Sequence, residues 1–63
     1  MNRKITRKIK VLAILIKGAQ SSAGIARILD VPEASVRRDI QALRRDGHNI
    51  SFAGNDSLYR LGQ

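Results

Sequence analysis

The sequence predicts a small, mainly helical α+β fold, with three helices followed by a two-stranded β-hairpin. Apolar residues recur at helical spacing as far as Gly47 and alternate beyond it. The segment Gly54-Asn55-Asp56 lies between two alternating stretches and is typical of a hairpin turn. With 63 residues and no cysteine, we expect a single domain over residues 1–63 whose core depends on aliphatic packing.

The first helix is predicted over about residues 3–17, ending before Gly18. Its core-facing residues are expected at helical spacing: Ile5, Ile9, Leu12 and Ile16. Three further apolar residues then fall outside this stripe: Val11, Ile14 and Leu15. We interpret these three as an exposed patch that contacts a second copy in a homodimer, or another protein. Wider burial within the molecule is the alternative.

The second helix is predicted over about residues 22–29, with Ser21 as its N-cap. Its core-facing residues are expected to be Ile25, Ile28 and Leu29, while the small Ala26 lets a neighbouring helix approach closely. The helix should end at Asp30-Val31-Pro32, because proline is tolerated at the start of a helix but not in its interior. A third helix can therefore begin directly after a short turn.

The third helix is predicted over about residues 33–46, with Val36, Ile40 and Leu43 buried. The opposite face then carries Ala34, Arg38, Gln41 and Arg45. We expect Asp39 to orient an arginine or a backbone group. Two short helices joined by a tight turn, in a basic chain of this size, are typical of a helix-turn-helix.

The hairpin is predicted over about residues 49–61. Ile50 and Phe52 share one side of its first strand, and Tyr59 and Leu61 share one side of its second. We expect the two aromatic rings to fill the core, and a platform for stacking nucleic-acid bases is the alternative.

The charge balance predicts a polyanionic partner. Twelve Lys and Arg against five Asp and Glu give a net charge of +7, and six of the cations lie in residues 1–20 without any acid. On the third helix, arginine suits the guanine edge and glutamine the adenine edge in the DNA major groove. The base-reading residues are expected to be Ala34, Ser35, Arg38 and Gln41. The phosphate contacts are expected from Arg37, Arg44, Arg45, Asn55, Arg60, Lys4 and Lys10.

Residues 21–61 also resemble a known family, the winged helix-turn-helix of the deoxyribose-operon-repressor type and of the biotin-operon-repressor N-terminal domain. The segments that carry the resemblance are Ser35-Val-Arg-Arg-Asp-Ile-Gln-Ala-Leu-Arg-Arg-Asp-Gly47, Tyr59-Arg-Leu61 and Ile25-Ala26. It implies a repressor whose third helix enters the major groove while the hairpin touches DNA backbone or the minor groove. The chain departs from the family at Pro32, where a capping serine is usual, and at Asp30, where glycine is frequent.

We therefore predict a sequence-specific double-stranded DNA-binding protein, a small transcriptional repressor that acts by occupying its operator. One alternative is a protein-interaction module, such as a phage factor that binds host machinery through the patch on the first helix. Another is a DNA-processing accessory factor in excision, packaging or partition. Members of the family usually attach a sensor or catalytic domain. We expect no small-molecule effector domain in this chain, which is either an excised domain or a small regulator.

Other function classes have little support in the sequence. No nucleophile–base set, phosphate-binding glycine loop or acidic pair is present, so neither an enzyme nor a cofactor is expected. A single histidine, His48, without cysteine predicts no metal site. The longest apolar run, 11–16, is far shorter than the ~20 residues of a membrane-spanning helix. We expect no membrane partner and a location in the bacterial cytoplasm or nucleoid.

Overall fold

The protein has the predicted order of three helices and a hairpin, an α+β arrangement with a winged-helix-like layout. The structure is a computed structural model that describes residues 6–62. Its elements are α1 (Arg7–Lys17), α2 (Ser22–Leu29), α3 (Glu33–Arg45), β1 (Ile50–Ala53) and β2 (Leu58–Leu61). Within residues 6–62, no helix is long and apolar enough to cross a membrane.

The helix ends follow local capping chemistry. Ser21 caps α2 as predicted, since its hydroxyl accepts a hydrogen bond from the Gly24 amide at 2.9 Å. Asp30 ends α2 in the left-handed conformation, with φ 57°. Pro32 precedes α3 and provides no side-chain cap. The predicted start of α1 at about residue 3 is wrong, because Thr6 is extended and caps a helix that begins at Arg7.

The core is formed where α1 and α2 pack against α3 and the hairpin closes one end. Its members are the buried residues Val11, Leu15, Ile25, Ala26, Val36, Ile40, Leu43 and Ile50. The predicted buried stripe of α3 and the burial of Ile25 and Ala26 are confirmed. Leu29 is half-buried and packs against the core.

The predicted orientation of α1 is wrong. Val11 and Leu15 are buried in the core and Ile14 packs against it, so these residues do not form the exposed patch predicted for a dimer or a partner. Of the predicted stripe, Leu12 is half-buried against the core as expected, Ile9 and Ile16 are exposed, and Ile5 lies outside the described residues. Apolar residues occur on both sides of this helix, so their spacing alone does not fix its rotation.

Two other apolar residues are more exposed than predicted. Ile28 is 58% exposed on the outer face of α2. Phe52 is 49% exposed, so it does not fill the core; its ring lies 4.8 Å from that of Tyr59, between ring centres. Tyr59 itself is half-buried against the core.

The hairpin is joined to the rest of the molecule by backbone pairing. β1 and β2 are antiparallel, with Ile50 opposite Leu61 and Phe52 opposite Tyr59. On the other edge of β2, Tyr59 and Gln20 exchange two backbone hydrogen bonds of 2.8 and 3.1 Å. The segment between α1 and α2 thus adds a short third member to the sheet.

Candidate nucleic-acid interface

The outward face of α3 is exposed because its opposite face is buried. Val36, Ile40 and Leu43 are each at most 2% exposed. At about 100° per residue, the residues predicted to read bases turn away from that stripe. Ala34, Arg38, Gln41 and Arg45 are exposed, and Ser35 is half-buried at the first turn. The structure thus brings the predicted base-reading residues onto one surface.

This face presents cations that the rest of the molecule does not neutralise. Within residues 6–62, no ion pair or side-chain hydrogen bond involves Arg38, Gln41 or Arg45. The face carries no carboxylate either, because Asp39 turns towards the core and is 9% exposed. Two guanidinium groups and an amide are therefore available for an anionic partner.

Arg37 lies at the edge of this face, and its side chain is paired with a carboxylate at the N-terminal end of α3. Its Nη2 donates to Glu33 at 2.8 Å, one helical turn back, and Glu33 also accepts a hydrogen bond from the Ser22 hydroxyl at 2.7 Å. The ion pair is largely exposed. Since exposed pairs contribute little stability, a phosphate can compete for this guanidinium.

Arg44 is placed differently from the phosphate contact that the sequence predicts. Its Nε donates to the backbone carbonyl of Ile50 at 2.9 Å, and the side chain is half-buried between α3 and β1. One guanidinium nitrogen is thereby hydrogen-bonded to the start of the hairpin. The arginine links the hairpin to α3.

The tip of the hairpin carries a local ion pair. Arg60 donates to Asp56 at 2.6 Å, and Asp56 also accepts from the Leu58 amide at 3.0 Å. The hydrogen bond from Arg60, followed by that from the Leu58 amide, lowers the pKa of Asp56, while Asp56 raises the pKa of Arg60. Asn55 is exposed beside this pair. Of the two predicted phosphate contacts in the hairpin, Arg60 already has a carboxylate partner.

The cations at the start of α1 are divided between two roles. Arg7 donates to the carboxylate of Asp39 from Nε at 2.6 Å and from Nη2 at 3.3 Å. Lys8 donates to Asp46 at 2.8 Å. Lys10 is exposed without an ion pair among the described residues, whereas Lys4 lies outside them.

The pairing of α1 with α3 through these cations was missed from the sequence. Asp39 was expected to orient an arginine, and it does, but the partner Arg7 comes from another helix. The signal was present, because Asp39 lies beside the buried stripe of α3, and a carboxylate there requires a cation or several donors. Residues 6–62 hold no group of three or more His, Asp or Glu side chains placed to bind a metal ion.

Comparison of this chain with protein families, characterised proteins and solved structures found no match.

Proposed function

We propose that the protein binds double-stranded DNA sequence-specifically and acts as a small transcriptional repressor by occupying its operator. The observation that supports this most is the outward face of α3, where Arg38, Gln41 and Arg45 are exposed without partners in the described part of the chain. A net charge of +7 adds attraction to phosphate that does not depend on sequence.

The proposed mode places α3 in the major groove, whose width of about 12 Å matches the diameter of a helix with its side chains. Ala34 at the first turn lets the helix approach the base edges closely. Arg38 donates in a fork to guanine, and Gln41 pairs with adenine. The hairpin tip, with Asn55, then lies against adjacent backbone or in the minor groove, while Lys10 and Arg45 contact phosphates.

This proposal does not include the predicted dimer contact. Val11 and Leu15 are in the core, so a homodimer through that patch would require the molecule to open. The same burial removes Val11 and Leu15 from any docking surface for a host protein, whereas Ile14 is half-buried.

The test begins by selecting genomic fragments that the protein retains, to obtain a candidate cognate site. Replacing Arg38 with Ala should then cost about 1–3 kcal/mol of binding free energy on that site, and far less on random duplex. The matched control is Lys10→Ala, which should weaken binding to both duplexes alike and reduce the slope of log affinity against log salt by roughly one. Affinities are measured by fluorescence anisotropy at several salt concentrations.

Three results would contradict the proposal. Equal losses for Arg38→Ala on cognate and random DNA would remove the base-reading role. An absence of binding to any duplex at low salt would remove DNA binding itself. If the selected site is placed over a promoter, in vitro transcription that rises on addition of the protein would remove the repressor assignment.

A further inference from the structure

An open groove lies between the C-terminal end of α1 and the outer face of α2. It has a volume of about 370 Å³ and is lined by Ile14, Lys17, Gly18, Ala19, Gln20 and Ile28. None of these residues belongs to α3 or the hairpin. The groove and the proposed DNA-binding face are therefore built from different residues.

The floor of this groove is apolar and accessible. Ile28 is 58% exposed on α2, and Ile14 is half-buried on α1. Single exposed apolar residues are ordinary on a protein surface. Two isoleucines that line the same concavity form a site for an apolar side chain, and binding of that side chain would remove both isoleucines from water.

One cation lines the groove. Lys17 is exposed there and forms no ion pair within residues 6–62. Four of the five carboxylates of the chain are already paired elsewhere: Glu33, Asp39, Asp46 and Asp56.

This distribution of charge selects among possible occupants. A second copy would bring its own Lys17 and its own net charge of +7 towards this lysine, and within residues 6–62 Asp30 is the only acidic side chain without an ion pair to offset them. Duplex DNA would neutralise the rim but leave the two isoleucines uncovered. An acidic chain with one apolar side chain can cover the isoleucines of the floor and neutralise the charge at the rim.

We propose that the α1–α2 groove, with Ile14 and Ile28 as its floor and Lys17 at its rim, binds an acidic amphipathic segment of another protein. The groove shares no residue with the α3 face, so a partner bound there does not occupy the residues proposed to contact DNA. Recruitment of a protein to a DNA site would then be a second activity of the chain.

The probe is a capped synthetic amphipathic helix with leucine along one face and glutamate on the others. Two matched peptides replace either every glutamate with lysine or every leucine with serine. Binding is followed by backbone amide chemical shifts of the labelled protein. Only the leucine–glutamate peptide should shift the amides of Lys17, Ala19 and Ile28.

The variants Ile28→Ser and Lys17→Glu should each weaken that binding by roughly tenfold, since one removes an apolar contact and the other inverts a rim charge. The control is Ile16→Ser, because Ile16 is 66% exposed on α1 but does not line the groove, and its affinity should match that of the wild type. Circular dichroism melts verify that all three variants fold.

Each of the remaining outcomes would overturn the proposal. Shifts confined to α3 amides would show general attraction to anions, and equal binding of the serine–glutamate peptide would remove the apolar floor. A random duplex that shifts the groove amides would make the groove a nucleic-acid surface. Sedimentation that shows a dimer dissociated by Ile28→Ser would make a second copy the occupant. DNA binding by α3 is measured separately and can succeed or fail independently of these results.

Discussion

At the scale of single residues, Asp39 has the most structural influence outside the apolar core. It lies in the middle of α3 at 9% exposure and receives two hydrogen bonds from Arg7 of α1. A carboxylate in that position is unfavourable without a cation, so Arg7 must lie on the side of α1 that faces α3. Val11 and Leu15 follow Arg7 at intervals of four residues, so the ion pair and these two buried side chains share one face of α1.

Replacing Asp39 with Asn keeps the size of the side chain and removes its charge. Arg7 then loses its anionic partner, so we expect the thermal midpoint of unfolding to fall. The fall should exceed that of Asp56→Asn, which breaks an exposed ion pair at the hairpin tip. Circular dichroism melts at neutral pH provide the comparison. Equal midpoints for the two variants would mean that the Arg7–Asp39 pair stabilises the fold no more than the exposed pair at the hairpin tip does.

At the scale of elements, the sequence predicted the structure best at helix ends, where capping and helix-breaking residues occur. Ser21, Pro32 and Gly47 mark the ends of α2 and α3 within a residue of the structure, because caps and helix breakers act locally. Gly47 has the positive φ, 105°, that suits a residue just after a helix. The exposed face of α3 followed from its polar and apolar periodicity.

The rotation of α1 could not be derived in the same way. Six of its eleven residues are large and aliphatic, so two different stripes satisfy helical spacing equally well. The choice between them depends on contacts with α3 that are distant in sequence. For the same reason the contact of Arg44 could not be read from the sequence, because its acceptor is the backbone carbonyl of Ile50 at the start of β1.

Arg44 connects α3 to β1, and its replacement should make the hairpin less stable. Arg44→Met keeps much of the aliphatic stem and removes the hydrogen bond to the Ile50 carbonyl, a loss of about 1 kcal/mol. Hydrogen exchange of the β1 and β2 amides should therefore accelerate by roughly fivefold, while exchange in α2 stays unchanged. Unchanged exchange in the hairpin, combined with a salt slope of DNA binding reduced by about one, would instead assign Arg44 to a phosphate.

At the scale of the whole molecule, the cations that form ion pairs are different from those left exposed on the outward face of α3. Four ion pairs form among residues 6–62: Arg7–Asp39 and Lys8–Asp46 link α1 to α3 and its C-cap, Glu33–Arg37 lies within α3, and Asp56–Arg60 lies in the hairpin. None of these pairs uses Arg38 or Arg45 of the outward face. The acids thus stabilise the fold while the net charge of +7 remains directed at solvent. This arrangement makes stability sensitive to acid.

The pH dependence follows from Asp46 and Asp56. A hydrogen bond from Lys8 and its charge lower the pKa of Asp46 below its ordinary 3.8, and Arg60 does the same for Asp56. A lowered folded-state pKa stabilises the fold at pH values above the ordinary pKa, and this contribution is lost as the pH falls through the folded-state value. The thermal midpoint should therefore hold between about pH 7 and 5 and decline below about pH 4.

The variant Asp46→Asn isolates one of these carboxyls. Its midpoint should lie below that of the wild type at neutral pH, and the two should converge as the solution is acidified. Asp30→Asn is the matched control, since Asp30 forms no ion pair in residues 6–62 and its replacement should not alter the profile. A constant difference between wild type and Asp46→Asn at every pH would exclude the Lys8 pair as the cause.

The backbone pairing of Gln20 with Tyr59 joins positions separated by more than half of the chain. The edge of the turn between α1 and α2 is satisfied only once β2 is in place. The short connection between α2 and α3 lets these two helices pack through contacts close in sequence, whereas closing the loop from Gln20 to Tyr59 costs chain entropy. We therefore expect this sheet edge to form late in folding, after α2 has packed on α3.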